Sequence, residues 1–216
     1  MVKKIWQQVK FEFVSAARNS EQQLISIVLP VGVLLLGRFS DLGESILALA
    51  IGLTVLGSNL AGPAIGLAFD RRYGSIKGWA FTTIGVRGFL AGRLGALFFQ
   101  TVIQTLVLLA VSFALFNEFS ASWVAILGYP LLIIGTAGIA VTIASTLRAE
   151  AVLASANLSL VLLSATAWLA VDTIWSWLNP LSMWLQVWQG DAVYLLGLFV
   201  YAVVFQVTAA RTFKWD

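Results

Sequence analysis

Asp70-Arg71-Arg72-Tyr73-Gly74-Ser75-Ile76-Lys77 is a charged island between two long apolar runs, 45–69 and 91–116. A helix needs roughly 20 apolar residues to cross about 30 Å of hydrocarbon. The two runs therefore read as membrane-spanning helices, and the island as a polar connection that must leave the bilayer. Hydrophobic residues make up 60% of the chain and charged residues 11%, with a mean hydropathy of +0.92. A soluble domain carries about a quarter charged residues, so the chain reads as a single all-α membrane domain over 1–216.

The apolar runs give six transmembrane helices at 23–39, 45–69, 91–116, 123–147, 151–171 and 192–210. Pro30 falls in the short first run, which predicts a kink, a tilt or a locally thinned bilayer there. Ahead of it, Val2, Ile5, Trp6, Val9, Phe13, Ala16 and Ala17 recur at helical spacing, with Lys3, Lys4 and Lys10 on other faces. The pattern predicts a basic amphipathic helix over 2–20 that lies in the membrane interface.

Six spans put both termini on one side, and basic residues choose the cytoplasmic side. Twelve of the 13 lysines and arginines then share a face, among them Arg71, Arg72, Lys77, Arg87, Arg93, Arg148, Arg211 and Lys214, which leaves Arg38 opposite. Asp41, Glu44, Glu118, Asp172 and Asp191 fall on Arg38's side. The expected location is the cell (inner, cytoplasmic) membrane with both termini cytoplasmic. This distribution accounts for the net charge of +3 without a nucleic-acid partner.

The connection 172–191 lies on the outer face in this topology and is too apolar for a free loop. It carries Trp175, Trp177, Trp184 and Trp188 and is broken by Asn179-Pro180 and Gly190. It reads as an external re-entrant helical hairpin shielded by neighbouring spans, because irregular backbone is not tolerated against lipid. Its indoles fit interfacial anchoring, and a flat aromatic surface for substrate stacking is the second reading.

Catalytic machinery is missing from the sequence. There is no histidine or cysteine, and no acid or base falls mid-span, so neither a catalytic residue nor a metal ligand is assigned. Gly32-Val33-Leu34-Leu35-Leu36-Gly37-Arg38 has P-loop glycine spacing, but arginine replaces the lysine, Phe39 replaces Ser/Thr, and the stretch is intramembrane. Any ATP-driven work needs another chain. The spans do hold uncharged polar residues: Ser58 and Asn59, then Gln100 and Gln104 on one helix face, and Asn157. Two readings fit Asn59, Gln100, Gln104 and Asn157, as interhelical hydrogen bonds or as the lining of a pathway. Gly62/Gly66 and Gly88/Gly92 mark close helix approaches, most simply within the chain.

Together these features resemble the six-helix membrane subunit of ABC exporters of the type-2 permease class. That family carries, after its second span, a motif close to Glu-Arg-x-x-Gly-Thr-Leu-Glu-x-Leu, then Thr-Pro, then a Gly-Lys that opens the third span. Asp70, Arg71, Gly74, Ser75 and Ile76 stand at corresponding places, Thr83 at the threonine, and Gly92-Arg93 at Gly-Lys; Lys77, Trp79 and Ile84 depart from the motif.

The resemblance implies a coupling segment over 70–90, with Asp70, Arg71, Arg72, Tyr73, Gly74, Ser75, Ile76 and Lys77 meeting a separate ABC ATPase subunit. It also implies a second permease subunit, identical or different, with ATP and Mg on the ATPase and no cofactor on this chain. Phe69, Tyr73, Ile76 and Ala80 recur at helical spacing as a docking ridge. The expected function is a non-enzymatic permease subunit of an ATP-driven exporter that moves an amphipathic or lipid-like small molecule out of the cytoplasm, as in drug efflux. The alternatives are haem or polysaccharide export, or a membrane assembly factor that transports nothing.

Overall fold

The structure is a computed structural model that describes residues 2–39, 45–116, 121–171 and 173–213. The expectations placed on Asp41, Glu44, Glu118, Asp172 and Lys214 lie outside these residues, as do the side chains of Ala80 and Arg87. All regular structure among the described residues is helical. Six helical stretches are long and apolar enough to cross a membrane: Ser20–Gly37, Ser45–Arg72, Gly88–Phe116, Trp123–Thr146, Ala149–Ala170 and Val193–Thr212. The chain is a multi-pass membrane protein, and its spans fall within a few residues of the sequence reading.

The second span is the axis of the bundle. Every residue from Ile46 to Ala61 is buried except the half-buried Leu49, so no lipid-facing stripe runs along its first half. A helix that is apolar all round belongs in such a central position. The first, third, fourth and fifth spans pack on it, the sixth packs on the fourth, and these outer spans leave apolar flanks exposed, as with Leu158, Val161 and Leu169 on the fifth.

Two spans depart from α geometry at the same kind of place. Leu24–Val28 in the first span and Gly57–Ala61 in the second are π-helical turns, and each ends two residues before a proline, Pro30 and Pro63. Proline has no N–H to give and its ring crowds the preceding turn's carbonyl. The wider turn relieves that crowding. At Pro30, where the sequence predicts a kink, a tilt or a thinned bilayer, the irregularity is this π turn, and Pro63 has a counterpart that its sequence setting did not announce.

The N-terminal helix, Val2–Ala17, packs against the start of the third helix, which begins at Gly85. Glycines make its seat: a Cβ on Gly92 would fall 2.5 Å from Gln8 Cγ, and one on Gly95 would fall 3.1 Å from a Val9 methyl. Trp6 meets Phe99 edge to face at 5.6 Å. The Gly88/Gly92 spacing therefore serves intrachain packing.

The segment between the fifth and sixth spans forms a 3-10 turn, Ile174–Leu178, and a helix, Pro180–Gln189. Asn179 caps that helix by accepting from Leu181 N at 2.9 Å, and Gly190 ends it at φ 101°, a conformation that favours glycine. Pro180 through Trp188 are all buried. The tryptophans divide accordingly: Trp175 and Trp177 are exposed, whereas Trp184 and Trp188 lie inside the bundle.

Candidate functional site

The two π turns face each other, and a Cβ on Gly57 would lie 3.0 Å from Ser26 Cα. Gln104 of the third span bridges them. Its Nε2 donates to Ser26 Oγ at 2.9 Å and to Gln23 Oε1 at 3.1 Å, and its Oε1 accepts from Ser58 Oγ. Gln22 Nε2 donates to the Ser58 carbonyl at 3.2 Å. Asn59 Nδ2 donates to Val55 O and Thr101 Oγ1, both at 3.0 Å. Three spans are thus joined by polar bonds among buried side chains, where an unpaired group costs several kcal/mol.

Of the four residues read as pathway candidates, Asn59 and Gln104 share this network. Gln100 is buried beside it, and neither its amide nitrogen nor its amide oxygen has a partner among the described residues. Asn157 is half-buried on the fifth span, apart from the other three. The two cavities that adjoin Arg93 are lined by none of the four.

The island 70–77 is not one element. Asp70, Arg71 and Arg72 complete the helix Gly62–Arg72, Gly74 turns the chain at φ 72°, and Ser75–Ala80 forms a separate short helix. Its first three residues are committed inside the chain. Asp70 Oδ2 accepts from Arg93 Nη1 at 2.5 Å, Arg71 Nη1 donates to the Ala144 carbonyl, and Arg72 pairs with Glu150. These bonds tie the end of the second span to the third, fourth and fifth.

The expected ridge of Phe69, Tyr73, Ile76 and Ala80 does not stand free, because Ile76 is turned inward and is 3% exposed. Gly74 rotates the second helix off the first, so helical spacing does not carry across it. What faces outward instead is Tyr73, 73% exposed, and Phe81, 93% exposed, with Ser75 and Lys77 beside them. Trp79 stacks on Phe89 at 5.0 Å and fixes the short helix to the third.

A charged group that the sequence reading did not single out lies next to this element. Glu12, Arg93 and Asp70 come from the N-terminal helix, the third span and the end of the second, and they influence one another. Burial pushes the Glu12 carboxyl above its ordinary range; nearby Arg93 pulls it back, Asp70 pushes it up, and a bond from Gln8 Nε2 at 2.8 Å lowers it. Gly66 makes room for the arginine, since a Cβ there would fall within bonding reach of Arg93 Nη2. The Gly62/Gly66 pair, read as a helix approach, thus seats polar side chains, with Gln22 over Gly62. The visible signal was a single acid in a helix otherwise basic, at the edge of its apolar face beside Ile5 and Ala16.

Two cavities adjoin Arg93. One of about 490 Å³ is walled mainly by apolar side chains of the second, third, fourth and sixth spans, including Leu67, Leu90, Ala140 and Phe213. The other, about 190 Å³, holds Glu12, Ser15, Asn19 and Gln22. Pro63, Arg93 and Leu97 line both. No group of three or more metal-ligating side chains occurs among the described residues. No protein-family model matches the chain, and no curated protein matches it.

Proposed function

We propose that the chain is the membrane permease subunit of an ATP-driven ABC exporter of the type-2 class, which moves an amphipathic or lipid-like small molecule out of the cytoplasm. The observation that carries this reading is the short helix Ser75–Ala80, with Tyr73 and Phe81 exposed at its two ends. Large aromatics exposed close together make a surface suited to a protein partner. In this reading the island end is cytoplasmic, the partner is a separate ABC ATPase, and the buried helix Pro180–Gln189 is the re-entrant segment of the outer half.

The same element offers a route for force. Trp79 on Phe89 links the docking helix to the third span, and the bonds of Asp70, Arg71 and Arg72 link its base to the third, fourth and fifth. A push from the ATPase would therefore reach four helices through direct contacts. A second permease subunit completes the assembly, and ATP and Mg stay on the ATPase. The bonded network of Asn59 and Gln104 also suits an assembly factor that transports nothing.

Co-purification with the ABC ATPase encoded beside this chain, followed by transport in proteoliposomes, tests the reading. Tyr73→Ala with Phe81→Ala is expected to abolish ATPase capture while the variant remains monodisperse. Capture and transport that survive this double substitution would overturn the docking assignment. A cellular phenotype that persists when the ATPase's catalytic site is inactivated would favour the assembly factor.

A further inference from the structure

The two cavities at Arg93 differ in kind, and their difference describes a ligand. Arg93 donates to Asp70 at 2.5 Å and balances that carboxylate. Glu12 has no basic side chain within ion-pair distance among the described residues; its bond is to Gln8. Arg93 also lines the polar cavity and attracts Glu12, but its ion pair is with Asp70, so when Glu12 is ionised two carboxylates share one guanidinium and the group keeps a net negative charge.

Gln22, which is 7% exposed, adds a second acceptor. Because the Ser58 carbonyl can only accept, Gln22 must turn its Nε2 toward it, and Gln22 Oε1 is left over Gly62 without a donor among the described residues. Both Gln22 and Gly62 line the polar cavity. A carboxylate and an amide oxygen around about 190 Å³ match a group that only donates. An ammonium does so, with three N–H groups and no acceptor.

Across Pro63, Arg93 and Leu97 lies the larger cavity, apolar and lined in part by exposed Ala91, Ala210 and Leu94, so it opens to the outside of the bundle. We propose that the paired cavities bind a primary-amine amphiphile, with its ammonium at Glu12 and Gln22 and its hydrocarbon tail in the apolar cavity. An anionic headgroup would add to the excess negative charge of Glu12, Asp70 and Arg93, and a neutral one would leave that excess unbalanced. The assignment deepens the exporter reading by naming a substrate class and rests on that reading for transport, but binding is a property of this chain alone.

The test is equilibrium binding of radiolabelled dodecylamine to the full chain in phosphatidylcholine nanodiscs, with unlabelled dodecylamine, dodecyl sulfate or dodecanol as competitors. Saturable binding displaced by dodecylamine and not by the other two is expected. Glu12→Gln should weaken it about tenfold, Glu12→Asp should restore most of it, and Leu97→Trp should weaken it by filling the shared wall. Unchanged affinity in Glu12→Gln, failure of Glu12→Asp to restore it, or equal displacement by dodecanol, which would mark a general groove for lipid tails, would overturn the proposal. The assay contains no ATPase, so its failure leaves the docking test standing, and failure of docking leaves this result standing.

Discussion

The indole Nε1 of Trp184 donates to the main-chain carbonyl of Ala48 at 2.8 Å, so the buried helix Pro180–Gln189 is pinned directly to the central span. Leu181 lies in the notch left by Gly52, where a Cβ would fall on its side chain, and Ser182 Oγ donates to Ala167 O at 2.6 Å. The helix is thus held on more than one side by hydrogen bonds and close packing.

Trp184→Ala should therefore cost about 3–5 kcal/mol of stability, the range for emptying a buried aromatic site. Trp184→Phe should lose about 1 kcal/mol for the hydrogen bond and some packing. Trp175→Ala, at a side chain 65% exposed, should stay within about 0.5 kcal/mol of the parent. Thermal unfolding in detergent checks all three, and equal losses at 175 and 184 would refute the division of the tryptophans into buried and surface groups.

Gln104 and Gln100 are one helical turn apart and should respond oppositely to the same change. Gln104→Leu removes the bridge to Ser26, Gln23 and Ser58 and should destabilise by roughly 1 kcal/mol, since membrane hydrogen bonds average about 0.6 and this side chain makes several. Gln100→Leu replaces a buried amide without a partner among the described residues and should be neutral or stabilising. If Gln100 serves a pathway, the same variant keeps its stability and loses transport, which a paired stability and flux measurement would separate.

How far these features could be read in the sequence depends on what produces them. The spans were legible because apolar length is set by bilayer thickness, a purely local constraint. The pairing of Asn59 with Thr101 and of Gln104 with Ser26 was not, since periodicity shows which residues share a face but not which helix answers it. Helical spacing misplaced Ile76 because one glycine at φ 72° restarts the helical phase, and sequence alone does not reveal the sign of a glycine's φ. The setting of Glu12 was not legible, because Arg93 and Asp70 reach it only through the fold, from more than fifty residues away.

Gly74 and Gly78 provide the sharpest test of the turn and short helix that follow the second span. Gly74 occupies the left-handed region, so Gly74→Ala should cost about 1–2 kcal/mol although no atom lies within 4 Å of the added methyl. Gly78 sits inside the helix Ser75–Ala80 with open space around it, so Gly78→Ala should stabilise that helix by up to about 1 kcal/mol. Hydrogen exchange over 74–81 should quicken in the first variant and slow in the second; the same direction in both would contradict the turn geometry.

Glu12 sets a pH dependence whose sign follows from its burial. Its folded-state pKa is raised above the ordinary 4.5, so the native chain binds more protons than the unfolded chain between the two values. Stability then falls as pH rises through that interval and levels off above the raised value. Glu12→Gln should flatten this decline, because the amide does not titrate. Amine binding should run the other way, strengthening as Glu12 ionises, with Arg93 and Asp70 as the charged neighbours and Gln8 as its hydrogen-bond donor. Thermal midpoints and dodecylamine affinity measured across the same pH series should therefore move in opposite directions; a parallel trend, or a Glu12→Gln variant that keeps both slopes, would assign the titration to another group.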